Sequence, residues 1–406
     1  MTTSNTCPIT GASAEDPLPF PFDPPTAIAP PEEWTQLREQ CPVAYVRTPQ
    51  EDALLLTRYE DVKTLLSDPR FPRSPQDEET AKAGSSPGSG SSINMIGAEH
   101  MRWRRLLSKS FTAKRMQAMR PHIRQLTDEL IDDMIADGNS ADLRTALGFP
   151  LPVYVICDLL GVPAEDRDKF AHWSDHFLNL TRYEQSDVEQ AMSELDDYLS
   201  AHVQLKREQP GDDLLSELTS IADEDDGRLS QQELVDTGKG LLIAGHETTA
   251  NMIGKMAAML LSRRERWEEL LADPSLVPAA VEESLRFDAN LGFAMHRWVS
   301  EEIQISDTTI KPNSMVLSAI PAANRDERAF ENADEMDFSR GPNPHLTFGA
   351  GPHSCLGQSL ARVELATVLS ALLERLPTLD LAVGEDELER RQGLLVGGLE
   401  EVPVRW

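Results

Sequence analysis

Residues 348–357 read Phe-Gly-Ala-Gly-Pro-His-Ser-Cys-Leu-Gly and run into a helix-like stretch, Leu360 to Leu376. Gly349 and Gly351 permit backbone angles and close approaches that a side chain forbids, and Gly357 leaves space beside Cys355. Such a loop presents one thiolate to something flat and bulky. The free amides and dipole at the start of the following helix favour the anionic sulfur. Taken alone, a solitary cysteine reads more simply as a small buried hydrophobe.

A second group, Ala244-Gly245-His246-Glu247-Thr248-Thr249, puts glycine, a carboxylate and hydroxyls halfway along an apolar helix. That is locally unfavourable, and such breaches are where function is expected. The plain alternative is Ser/Thr-rich helix packing. A third group is basic: between His100 and Thr127 stand eight Lys or Arg residues and no acid, in a chain with 68 acids. His100 and Arg104 share one helical face at i and i+4, whereas Arg102, Arg105 and Lys109 share another, so one face can turn inward while the other stays solvated. Glu283 and Arg286, at i and i+3, can pair on one helix.

The elements that must carry these groups follow from periodicity and punctuation. Residues 1–31 are proline-rich and predict an irregular arm. A helix near Glu32, strands at Val43–Val46 and Ala53–Thr57, and a helix from Tyr59 to Leu66 come next. Residues 69–92 end in Gly-Ser-Ser-Pro-Gly-Ser-Gly-Ser-Ser and read as a flexible loop. A helix starts at about Ala98, and helical spacing continues from Met116 to Gly138. Amphipathic helices follow near 150–160, 166–181, 186–208 and 212–222. Ser230-Gln-Gln-Glu233 is a capping box that opens a long helix to about Ser262, apolar on several sides and so expected to cross the interior. Strand-like alternation appears at Phe293–Val299, Ile303–Ile310, Thr378–Val383 and Leu394–Arg405.

Composition bounds the reading. The chain has 406 residues, 40% hydrophobic and 26% charged, with a net charge of −30. That charge argues for solubility and against binding nucleic acid as a whole molecule. Cys7, Cys41, Cys157 and Cys355 form no CxxC pair, which fits a reducing cytoplasm. No signal peptide and no membrane-length apolar run are read.

The string Phe-Gly-x-Gly-x-His-x-Cys-x-Gly at 348–357 resembles the haem-binding signature of the cytochrome P450 family, with every fixed position filled. Nearly the whole chain is similar to that family, of the soluble bacterial type. The resemblance implies a mainly α fold: one domain over 1–406, a large helical body with small β-sheets, and haem between a long central helix and the cysteine loop. It implies haem b with Cys355 as the axial thiolate, which pushes electron density toward O–O cleavage. Around the haem it assigns His100, Arg104, Arg297, His353, Phe348, Gly349, Ala244 and Gly245, with His100, Arg104 and Arg297 at the propionates. Glu247 and Thr248 match the acid–alcohol pair that delivers protons to iron-bound oxygen. The family's pattern places Met95, Leu241, Phe293 and Val396 in the substrate pocket and residues 69–92 over it. One departure is clear: Ala333-Asp334-Glu335-Met336-Asp337-Phe338 carries Glu335 where an arginine usually joins the Glu283–Arg286 pair. Arg325, Arg340 and His345 are the candidates to replace it, and a local cost in stability is expected.

Electrons must come from outside, since no flavin or nicotinamide site is read. The resemblance implies a ferredoxin and ferredoxin reductase, with the ferredoxin docking near Arg102, Arg105 and Lys109, and a monomeric enzyme. Similarity to actinobacterial members that tailor macrolides implies hydroxylation or epoxidation of a bulky natural product. Oxidative coupling or cyclisation of an aromatic metabolite or cyclic dipeptide, and peroxide-driven oxidation, are the alternatives.

Overall fold

The computed structural model of the protein describes residues 7, 11, 13–48, 51–74, 97–178, 183–220, 222–223, 227–290, 295–391 and 396–406. The chain divides into two compact units, each built from two separate stretches: 1–87 with 282–355, and 88–281 with 356–406.

The first unit is organised by a five-stranded sheet in the order Leu18–Pro19, Val43–Arg47, Asp52–Leu56, Met315–Ser318, Met295–Trp298. Val43–Arg47 and Asp52–Leu56 pair antiparallel, Asp52–Leu56 pairs parallel with Met315–Ser318, and Met315–Ser318 pairs antiparallel with Met295–Trp298. Side chains alternate across a strand. Accordingly Leu54 and Leu56 enter one apolar cluster with Tyr59, Val62 and Val316, and Leu55 enters another with Trp34, Leu37 and Leu317. The strand at Leu18–Pro19 falls in the stretch expected to be irregular. It runs parallel to Val46–Arg47, and Phe20 N–H closes the pair on Arg47 O at 2.9 Å. An edge position tolerates a proline, which has no N–H to give.

The second unit is organised by the helix Gln231–Leu261, most of whose side chains are buried. Ser230 Oγ accepts from Glu233 N–H and Glu233 returns a bond to Ser230 N–H, so the expected capping box is formed. Helices Pro150–Leu160, Arg167–Leu178, Gln185–Glu208 and Gln358–Arg375 pack on it. The helical run expected from Met116 to Gly138 is broken into Ala113–Ala118 and Arg120–Asp137, because Pro121 sits at the start of the second helix, where its missing N–H costs nothing. Among the described residues of the run expected at Leu394–Arg405, the strand is Pro403–Arg405, between Asp380–Leu381 and Ser140–Asp142. Among the described residues no helix is long and apolar enough to cross a membrane.

Candidate active site

In the first unit the Cys355 loop is built on two glycines at φ +70°, Gly349 and Gly351. Gly351 is also fixed by its neighbour: a Cβ there would lie 2.6 Å from Ser67 Cα, the last residue of the helix Tyr59–Ser67. Backbone bonds close the loop, Gly349 N–H to Leu346 O at 2.8 Å and Cys355 N–H to Phe348 O at 2.7 Å. Cys355 is exposed, unlike Cys7, Cys41 and Cys157, so the reading of a small buried hydrophobe does not describe it. Phe348, Gly349 and His353 are half-buried along the same loop, and beside Gly357 a Cβ would meet open space.

Behind the loop, the position vacated by Glu335 is filled. Arg286 grips Glu283 with both arms, at 2.8 and 2.7 Å, and Arg340 Nε adds a third bond at 3.0 Å. Asn343 Nδ2 and Asp337 N–H complete the carboxylate at 3.0 and 2.9 Å. Arg286 in turn donates to the carbonyls of Asn324, Ala333 and Glu335, so Glu335 contributes its backbone while its side chain is exposed. Of the other two candidates, Arg325 turns to Asp334 and Phe287 O, and His345 to Glu282. The expected local cost therefore has no visible cause: Arg340 supplies the missing guanidinium from a few residues downstream.

Arg297 is 5% exposed on the strand Met295–Trp298. Burial first, and then the guanidinium of Arg73, pushes it down to about 10. Among the described residues no carboxylate pairs with it; its one hydrogen bond goes to His296 O at 2.8 Å. A thiol open to solvent and a buried guanidinium lacking an anion are what a haem would engage, through its iron and a propionate.

In the second unit, the helix Gly97–Ser108 buries His100 and half-buries Arg104 on one face, as expected from their spacing. Trp103 Nε1 donates to Thr237 Oγ1 at 2.8 Å, which ties this helix to the long one. Arg102 also turns that way and pairs with Glu233, leaving Arg105 and Lys109 exposed. Further along the basic stretch, Arg115 pairs with Glu217 and Arg124 with Asp128 and Glu374, whereas Lys114 and Arg120 are exposed.

The long helix carries the polar breach. Ala244 and Thr248 are exposed one turn apart in the middle of a mostly buried helix, and Thr248 Oγ1 donates to Ala244 O at 2.7 Å. Gly245 admits the helix Pro150–Leu160: a Cβ would come within 3.2 Å of Ile156 Cδ1. His246 is fully buried between Ser174 Oγ at 2.7 Å and Phe149 O at 3.2 Å, and burial drops it to about 3, so it stays neutral.

Glu247 is 3% exposed, and burial raises it to about 7 against the pull of Arg391 and Arg144. Its Oε1 lies 3.8 Å from Arg391, and its Oε2 has no hydrogen-bond partner among the described residues. Arg391 also reaches Asp175 at 3.5 Å and Glu400 at 3.9 Å, and Asp175 accepts from Tyr183 Oη. Sequence reading missed Arg391 and Asp175; the only cue is the doublet Arg390-Arg391 in an otherwise acidic stretch.

Leu241 is buried on the same helix, and Val396 is half-buried with its carbonyl held by Asn251 Nδ2 at 3.2 Å. Met95, Phe293 and most of the expected covering loop lie outside the described residues.

The cytochrome P450 family model matches residues 29–273 and 258–396. The chain is 40% identical over 397 residues to mycinamicin IV hydroxylase/epoxidase of Micromonospora griseorubida, covering 97% of this chain and 100% of that protein. It is 40% identical over 392 residues to nocardicin C N-oxygenase of Nocardia uniformis subsp. tsuyamanensis, covering 95% and 98%. Among solved structures, the mixed-function P450 MycG superposes with a TM-score of 0.90 at 40% identity, covering 96% of this chain and 100% of that one. The LnmA hydroxylase of the leinamycin pathway of Streptomyces atroolivaceus S-140 gives 0.89 at 40% identity, with the same coverage.

Proposed function

This chain belongs to the cytochrome P450 family, and from that premise we propose that it inserts one oxygen atom into a bulky, partly apolar natural product, by hydroxylation or epoxidation. The family's haem, when bound, supplies the iron at which dioxygen is reduced. Cys355 would hold that iron through its thiolate, and His100, Arg104 and Arg297 would fix the porphyrin by its propionates, with His353, Phe348, Gly349, Ala244 and Gly245 around it. Leu241 and Val396, with Met95 and Phe293, would line the substrate pocket.

The chain's own part in the chemistry is proton handling. A carboxyl that titrates near the working pH both gives and regains a proton readily. Glu247 meets that condition and stands next to Thr248, whose hydroxyl is accessible and can hold a water at the point of delivery. This pairing of a buried, near-neutral acid with an exposed alcohol is the observation that carries the reading. Electrons would arrive from a ferredoxin, reduced by its reductase, that docks on Arg105 and Lys109; Arg102 contributes to anchoring the helix on which they stand. The sparse cysteines, with no CxxC pair among them, favour a cytoplasmic setting.

The test begins with absorption spectroscopy of the ferric holoenzyme titrated with macrolides and other bulky natural products. A ligand that displaces the iron-bound water shifts the spin state. With that ligand, Thr248→Ala should keep its affinity but yield markedly less product per NAD(P)H consumed, the balance appearing as hydrogen peroxide. Unchanged coupling would remove the proton role of Thr248, and no shift with any bulky ligand would remove the substrate class.

A further inference from the structure

Cys7 belongs to the N-terminal arm, and Cys41 follows the helix Glu33–Gln40 at the entry to the strand Val43–Arg47. Both lie in the first unit and both are buried, 3% and 9% exposed. They share one apolar cluster with Phe22, Trp34, Leu37 and Leu55, and the Cys41 side chain is hydrogen-bonded to that of Cys7. Backbone bonds hold each side: Gly11 N–H donates to Cys7 O and Cys41 N–H to Leu37 O, both at 2.9 Å. The Cys41 thiol also donates weakly to Val43 O at 3.9 Å.

Burial first, and then Cys7, push the Cys41 thiol up to about 12, so it stays protonated near neutral pH. A protonated thiol exchanges slowly, which carries the pair unchanged through brief oxidation. The position of equilibrium is a separate matter. Two thiols held in contact by the fold meet at a far higher effective concentration than in an open chain. The disulfide that joins them is apolar, as the cluster is, and it gives up only weak S–H bonds.

We propose that Cys7 and Cys41 are a modification site, a reversible disulfide made by exchange with a small-molecule disulfide, which fastens the arm to the sheet. One cysteine sulfur attacks the incoming disulfide and expels one small thiol. The other sulfur then attacks the mixed disulfide and expels the second. Two cysteine thiols are oxidised, one disulfide is reduced to two thiols, and the protons pass to the departing sulfurs. The site does not depend on the haem chemistry, and a reducing cytoplasm leaves it open.

The holoenzyme is equilibrated in reduced and oxidised glutathione, starting from reduced protein and from protein oxidised while unfolded. Samples are quenched in acid, alkylated and digested, and the linked Cys7–Cys41 peptide is quantified by mass spectrometry, with urea-unfolded chain as the reference. The equilibrium constant for the disulfide should be about a hundredfold larger in the folded protein. The oxidised protein should accordingly melt about 3 °C above the reduced one. Cys7→Ser and Cys41→Ser should each lose both the linked peptide and the difference in Tm, while keeping the wild-type circular dichroism. A folded-state constant no larger than the unfolded one overturns the site and leaves the two thiols as packing alone. So does an oxidised protein that melts lower or fails to refold, or glutathione held on either cysteine with no linked peptide. A Tm difference that survives either substitution belongs to another cysteine and overturns it as well.

Discussion

Glu247, the proposed proton carrier, also bears on stability, because its carboxyl is buried. Its proton is held up to about pH 7 in the folded protein, while in the unfolded chain it leaves near 4.5. Between those values the unfolded state gains by ionising and the folded state does not. Stability is therefore full below about pH 4.5 and declines as pH rises toward 7, by at most about 3 kcal/mol. Glu364, also fully buried and raised well above the usual carboxylate range, acts in the same direction. Glu247→Gln should flatten the fall in Tm between pH 5 and 7.5 by several degrees and leave the contribution of Glu364. Parallel Tm–pH curves for the two proteins would show that Glu247 is ionised throughout. At this scale Glu247 was legible from the sequence as a breach in an apolar helix, and the structure buries it there, whereas the partner that faces it, Arg391, was not legible. Its partners Asp175, Glu247 and Glu400 come from three separate stretches of chain, and no local spacing links them.

At the scale of elements, reading from sequence worked where the signal is local. The Ser230–Glu233 box gave the start of the long helix to the residue, because both of its bonds lie within one turn. Leu18–Pro19 was not legible as a strand, since its pairing depends on Val46–Arg47 and on nothing in its own composition. The Glu283 cluster lies between these cases: the Glu283–Arg286 pair is local, but only folding shows that Arg340, not Glu335, completes it. Arg340→Met leaves Glu283 with Arg286, Asn343 and Asp337 N–H, but removes the charged bond to Glu283 together with those to the carbonyls of Glu331, Asn332 and Glu335, a loss of about 3 kcal/mol. In a chain of this length the expected Tm is about 3–4 °C lower. Glu335→Arg, adding a cation where the side chain already points outward, should leave Tm nearly unchanged. A strong rise with Glu335→Arg would mean that the cluster still lacks a partner.

Over the whole molecule, a net charge of −30 repels an acidic protein donor, so productive encounter depends on a local patch of opposite sign. Exposure differs along the proposed patch. Arg102, Arg115 and Arg124 form ion pairs inside their own unit. Arg105, Lys109, Lys114 and Arg120 have exposed side chains. Arg105→Glu should slow the first electron transfer from an acidic ferredoxin several-fold at low salt without changing substrate affinity. The gap should close as salt is raised, because screening confines steering to about 10 Å at 0.1 M. Equal stopped-flow reduction rates at low salt would mark the patch as a solvated helix face and nothing more.

The order of strands in the five-stranded sheet also has a consequence for how the chain is born. Asp52–Leu56 leaves the ribosome with one neighbour, Val43–Arg47, while its other neighbour, Met315–Ser318, is still to be translated. At ribosomal speed those roughly 260 intervening residues mean a wait on the order of 15–50 s. Throughout it, the Leu54-Leu55-Leu56 edge offers unpaired backbone and apolar side chains to any other nascent chain nearby. Yield in a cell is thus governed at this strand by whatever shields it during synthesis, and growth conditions that thin out such shielding will send the protein into inclusion bodies before its finished stability has any say.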